Sequence, residues 1–99
     1  MVRLVRETVI KPGKFEGAIA FAKDIASYVE AATGKQFIVC VQSGGLIGKI
    51  SWHADYENLG EIEAATGKLL ADPKYLEKLR VAGDLFVDAS GQDTFWTKI

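Results

Sequence analysis

The chain has 99 residues, one domain's worth, and its 48% hydrophobic content supplies a core, although a domain this small leaves much of its surface exposed. A net charge of −1, from 12 basic and 13 acidic residues, excludes the basic excess expected of a nucleic-acid binder and gives no reason to expect an anionic membrane surface as partner. One cysteine, Cys40, excludes an internal disulfide framework, and with His53 as the one histidine a four-ligand zinc site is nearly excluded.

Val2 to Ile10 reads as a strand, rich in β-branched residues with Arg3, Arg6 and Glu7 interspersed. Lys11-Pro12-Gly13-Lys14 breaks it. Phe15, Ala18, Ile19, Ala22, Ile25, Ala26 and Val29 then recur at three- and four-residue steps, with Glu16, Lys23, Asp24 and Glu30 off the stripe. That spacing predicts a helix from about Gly13 to Thr33, closed by Gly34.

A second strand is expected over Gln36–Ser43 and a third over Leu46–Ala54, with Ser43-Gly44-Gly45 as the turn of an antiparallel hairpin. Asp55 is the expected cap of a helix from Tyr56 towards Leu70, with Tyr56, Leu59, Ile62, Thr66 and Leu69 on one side. Asp72-Pro73 starts a shorter helix running to about Val81, carrying Tyr75, Leu76 and Leu79, and Gly83 ends it. Leu85–Ala89 and Thr94–Ile99 complete the strands, interrupted at Ser90-Gly91-Gln92-Asp93. The hexapeptide Glu30–Lys35 recurs as Glu63–Lys68, either as the trace of two β-α-β halves or as coincidence in an Ala/Glu/Lys-rich helical composition.

The order β-α-β-β-α-β predicts a single α+β domain over residues 1–99, with a ferredoxin-like four-stranded antiparallel sheet and both main helices on one face. The strands do not alternate cleanly. Phe37, Val39 and Val41 share one side while Ile38 and Cys40 lie on the other, and Leu85, Val87 and Ala89 oppose Phe86. Apolar residues on both sheet faces imply a partner surface, and two copies meeting sheet to sheet in a homodimer would cover it.

The opening Arg3-Leu4-Val5-Arg6-Glu7-Thr8-Val9-Ile10-Lys11-Pro12-Gly13-Lys14 resembles the start of NIPSNAP-like proteins. Trp52-His53-Ala54-Asp55-Tyr56-Glu57-Asn58-Leu59 resembles their strand-to-helix step, Leu70-Ala71-Asp72-Pro73-Lys74-Tyr75 their Asp-Pro-x-Tyr helix start, and Asp93-Thr94-Phe95-Trp96 their final strand. The resemblance covers nearly the whole chain and implies a dimeric α+β barrel. That superfamily holds cofactor-independent monooxygenases, haem enzymes and small isomerases. NIPSNAP-like proteins have no agreed catalytic motif, so the resemblance assigns no catalytic residue.

Period-two geometry places Lys49, Ser51 and His53 on one face of the third strand and Gly48, Ile50 and Trp52 on the other. Ile50 and Trp52 suit the helix-covered core. The polar row would then face the space between two sheets, where His53 could serve as a general acid or base and Lys49 and Ser51 as ligand contacts. The plainer alternative is a partly solvated His53 at a strand end. A Ser51–His53 nucleophile pair is disfavoured, because same-side neighbours lie roughly 6.5–7 Å apart along a strand and no nucleophile elbow accompanies them. Cys40, between two valines, reads as a small buried residue. Trp96, Phe95, Tyr28, Tyr56 and Tyr75 read as packing, with Trp96 as a further candidate wall for a flat ligand. Glu57, Glu61 and Glu63 mark a solvated helix face. No apolar run approaches the roughly 20 residues of a membrane span, and Arg3, Arg6 and Glu7 break any leader-like pattern. The expectation is a cytoplasmic homodimer, with no metal or cofactor, that acts on or binds a small apolar or aromatic molecule as a monooxygenase- or isomerase-like enzyme or a binding protein. The alternative is a non-catalytic dimeric module.

Overall fold

The computed structural model describes every residue except Leu46. In chain order the elements are β1 (Val2–Val9), α1 (Phe15–Thr33), β2 (Ile38–Val41), β3 (Lys49–Tyr56), α2 (Leu59–Leu70), α3 (Pro73–Ala82), a 3-10 turn (Gly83–Leu85) and β4 (Gln92–Thr97). The four strands form one antiparallel sheet in the order β2-β3-β1-β4, which is the ferredoxin-like arrangement expected.

β3 sets the sheet's two faces. Its residues alternate strictly, with Ile50, Trp52, Ala54 and Tyr56 buried and Lys49, Ser51, His53 and Asp55 half-buried. The buried set meets Val2, Leu4 and Ile10 of the β1 segment and Ala18, Ala22, Ile25 and Val29 of α1. Trp52 is fixed twice. Its indole N–H donates to the Ala22 carbonyl at 3.3 Å, and its ring meets Phe21 and Phe86 edge to face. The stripe of α1 is narrower than its sequence suggests, because Phe15 is 52% exposed. From α2 and α3 the buried apolar residues are Ile62, Tyr75 and Ala82, while Leu59, Leu76 and Leu79 stay exposed.

Several boundaries differ from expectation, three of them with consequences for the site. The hairpin strands are shorter at the turn: β2 ends at Val41 and β3 begins at Lys49, with Ile47 and Gly48 in a turn, while Leu46 lies outside the described residues. At its other end β3 continues through Asp55 to Tyr56, because Tyr56 pairs with Val2 and buries its ring on the helix side. Asp55 is therefore a strand residue bonded to Arg3 rather than a cap. The cap of α2 is Asn58, whose Oδ1 accepts from the Glu61 N–H at 2.9 Å, and the Glu61 carboxylate in turn accepts from the Glu57 N–H at 2.8 Å.

The third difference is the segment Leu85–Ala89, which is not a strand. Phe86 makes one isolated bridge to Ile10, and Ala89 takes a positive φ of 60°. Ser90 replaces ladder bonds there: its hydroxyl accepts from the Val9 N–H at 3.1 Å and bonds Thr8 Oγ1 at 2.8 Å. Regular pairing resumes at Gln92, so Gln92 and Asp93, expected in the interruption, belong to β4, which ends at Thr97 rather than Ile99. Asp72 and Gly34 hold the roles expected of them, as the N-cap of α3 and the left-handed C-cap of α1.

Candidate functional site

The helices leave one sheet face open. Register arranges its residues in rows: Asp55, Arg3 and Trp96; then Ile38, His53, Val5 and Thr94; then Cys40, Ser51, Glu7 and Gln92; then Lys49 and Val9. Lys49, Ser51 and His53 do share this face, as period two requires. Ser51 Oγ lies 2.8 Å from His53 Nε2. The strand spacing that disfavoured this pair applies to the backbone; the imidazole leans along the strand and closes the gap. Lys49 Nζ meets Glu7 Oε1 at 3.1 Å, both side chains about a quarter exposed. These groups line a shallow depression of about 340 Å³ together with Cys40 and Val5.

Two other placements depart from expectation. Cys40 is exposed, not buried, because β2 is an edge strand and this residue points to the uncovered side. Trp96 is 63% exposed and lies on the opposite edge strand, in a separate depression with Arg3, Asp55 and Lys98. It does not join His53. Beside it the Asp55 carboxyl is held below its usual range, first by the hydrogen bonds it accepts from Arg3. Phe95, on the helix-side register of β4, is also exposed at 53%.

An apolar cavity lies on the other side, between sheet and helices. A half-open space of about 80 Å³, it is lined by Phe21, Ile25, Phe37, Trp52, Leu69 and neighbouring side chains, and by two polar residues, Arg6 and Tyr75. Arg6 shares the parity of Val2 and Leu4 on β1, so its stem enters the helix side. Its Nε and a terminal nitrogen bond the two carboxylate oxygens of Asp93 on β4 at 2.7 and 2.8 Å. That pairing holds the guanidinium well above its ordinary pKa, against the opposing effect of burial, with a smaller electrostatic share from the Tyr75 hydroxyl beside it. Tyr75 is 5% exposed as a residue, and among the described residues no buried side-chain nitrogen or oxygen lacks a hydrogen-bond partner. Among the described residues there is also no cluster of His, Cys, Asp and Glu able to hold a metal ion, and no helix long and apolar enough to cross a membrane.

Sequence reading missed Arg6 and Tyr75. The available signal was the parity of Arg6, which matches the buried residues of its strand.

A NIPSNAP domain protein from Burkholderia xenovorans superposes on the whole chain with a TM-score of 0.85 at 15% identity, over 95% of its own length. The fold is that of the NIPSNAP proteins. A NIPSNAP family protein of unknown function from Agrobacterium tumefaciens matches 97% of the chain and 86% of its own length, with a TM-score of 0.82 at 18% identity. The same NIPSNAP-like architecture extends to a candidate antibiotic biosynthesis monooxygenase from Deinococcus radiodurans, with a TM-score of 0.72 at 16% identity, over 99% of this chain and 92% of that one. No protein-family model and no curated protein sequence matches the chain. At these identities the likeness is one of fold.

Proposed function

We propose that the protein is a cytoplasmic homodimer that binds a small, partly aromatic molecule in the cavity between its sheet and helices. The observation that carries this reading is the cavity itself: apolar, aromatic walls with two polar side chains, Arg6 and Tyr75, set among them. Among the described residues its walls hold no carboxylate and no histidine, which favours binding and polarisation of an occupant over proton abstraction within it. The description of a fold relative as a monooxygenase of antibiotic biosynthesis supports a small organic occupant.

The open sheet face supports the dimer. Val5, Val9, Ile38 and Trp96 give it an apolar frame, and sheet-to-sheet packing would remove them from water. The Lys49–Ser51–His53 row would then lie between the two sheets. A second reading, acid–base chemistry at His53, is favoured by the 2.8 Å bond to Ser51, with Lys49 as a ligand contact and Trp96 as a wall at the far edge.

Titration with aromatic fragments, followed by NMR at the two indole N–H groups, tests the cavity. The Trp52 resonance should move and that of Trp96, on the other face, should not. A library that leaves Trp52 unmoved overturns the cavity reading. A monomeric mass by sedimentation at micromolar concentration overturns the dimer.

A further inference from the structure

Resting on the cavity reading above, we infer that the occupant presents a neutral carbonyl oxygen to Arg6 and Tyr75, and is neither a carboxylate nor a hydrocarbon. Two donors reach the cavity from different elements. Arg6 rises from the middle of β1, and Tyr75 descends from the first turn of α3. An arginine has only N–H donors to offer, and a neutral tyrosine beside a guanidinium presents its O–H as donor to anything placed between them. A carbonyl oxygen has two lone pairs and can accept from both. The Tyr75 hydroxyl stands beside the Arg6 guanidinium, so an acceptor placed between them meets both.

Charge decides between a carbonyl and a carboxylate. The side of the guanidinium that docks a carboxylate in two-pronged fashion, Nε with a terminal nitrogen, is already filled by Asp93. The pair is formally neutral. A second carboxylate on the remaining N–H groups would stand close to the first, against walls of Phe21, Trp52 and Phe37 that offer no compensating charge. A hydrocarbon would avoid that repulsion but would offer the Tyr75 hydroxyl and the remaining guanidinium N–H groups no acceptor.

Size limits the rest of the molecule. The half-open space of about 80 Å³ is roughly half of the about 150 Å³ that holds a benzene ring in an engineered apolar cavity. The cavity therefore takes one end of a ring-bearing molecule. The other end leaves past Arg6 and Leu79, whose side chain and residue are 44% and 38% exposed and form the mouth.

Acetophenone, benzoate and cumene form a matched probe set: the phenyl ring and branching are constant, and the substituents present a carbonyl, a carboxylate or methyl groups. Each is titrated into the wild-type protein with the Trp52 indole N–H as reporter. Acetophenone should bind about tenfold more tightly than cumene, the worth of one well-placed charged hydrogen bond, and benzoate should be the weakest of the three. Tyr75→Phe, which keeps the ring, should narrow the gap between acetophenone and cumene several-fold, and Arg6→Leu should close it. Equal or tighter binding of benzoate or cumene in the wild type overturns the carbonyl assignment while leaving the cavity as a binding site. A gap that Tyr75→Phe leaves intact also overturns it. Silence of the Trp52 resonance towards all three probes overturns the cavity reading, and the assignment with it.

Discussion

Arg6 and Asp93 stand directly opposite one another across β1 and β4, and the guanidinium meets the carboxylate through two hydrogen bonds of 2.7 and 2.8 Å. The pair lies on the helix side of the sheet, yet its side chains remain 44% and 36% exposed. Geometry therefore favours a strong pair and solvent weakens it. A double-mutant cycle with Arg6→Leu and Asp93→Asn, read by urea denaturation, should give a coupling of about 1 kcal/mol or less, shrinking with added salt. A coupling well above that would mean that the pair is shielded from water to a degree its exposure does not suggest.

Ile38 offers a clean separation of folding from assembly. It is 57% exposed in the protomer and sits beside His53 on the open face. Ile38→Lys should change protomer stability by no more than about 0.5 kcal/mol, as ordinary surface substitutions do. In a sheet-to-sheet dimer the same change would place an unpaired ammonium among apolar side chains. The expected outcome is a shift from dimer to monomer in sedimentation, with a circular dichroism spectrum unchanged. A variant that stays dimeric would move the interface elsewhere.

Asp72 ties the cap of α3 to acid stability. Its carboxylate accepts a hydrogen bond from the Tyr28 hydroxyl and two from the N–H groups of Lys74 and Tyr75, and its pKa is lowered, Tyr28 being the largest cause. A carboxyl with a depressed folded pKa adds stability that is complete above its unfolded value, near 3.9, and is lost as pH falls through the folded value. Removing the hydroxyl with Tyr28→Phe should let the folded pKa rise back towards the unfolded one. Stability, followed by thermal melts between about pH 2 and pH 5, should then fall less steeply on acidification than in the wild type. An unchanged acid slope would show that Tyr28 does not bias the protonation of Asp72. Because Asp72 also positions the first turn that carries Tyr75, this contact links acid stability to the geometry of the cavity.

How far the sequence made all this legible differs element by element. β3 could be read face by face, because a central strand covered on one side keeps a strict two-residue period and its Ile, Trp, Ala and Tyr all fall on the buried parity. The placement of Lys49, Ser51 and His53 on a common face followed from that period, but the bond between Ser51 and His53 did not, since it depends on a ring rotamer. Cys40 misled because flanking valines look like core, whereas exposure depends on its strand lying at the sheet edge, a property of strand order. Arg6 was obscured for the converse reason. Charges at both parities of β1 hide its period, and the partner that makes a core-side arginine tolerable lies 87 residues further along the chain. Asp55 looked like a cap because nothing local reveals that Tyr56 must pair with Val2 first.

The repeated hexapeptide gives the sharpest test of context over composition. Glu30–Lys35 ends α1, where Gly34 adopts φ 77° and its N–H bonds the Glu30 carbonyl at 2.8 Å. Glu63–Lys68 lies inside α2, where Gly67 is helical and the helix runs on to Leu70. Neither glycine has an atom within 4 Å of where a Cβ would stand, so crowding cannot distinguish them. Backbone conformation does. Gly34→Ala must hold a side chain in the left-handed region and should destabilise by about 1 kcal/mol. Gly67→Ala gains helix propensity and should stabilise by about 0.5–1 kcal/mol. Urea midpoints of the two variants should therefore move in opposite directions from the wild type, although the substitution and its flanking residues are identical. Shifts of the same sign would mean that the two copies share a conformation, and would restore the pseudo-repeat as a structural feature.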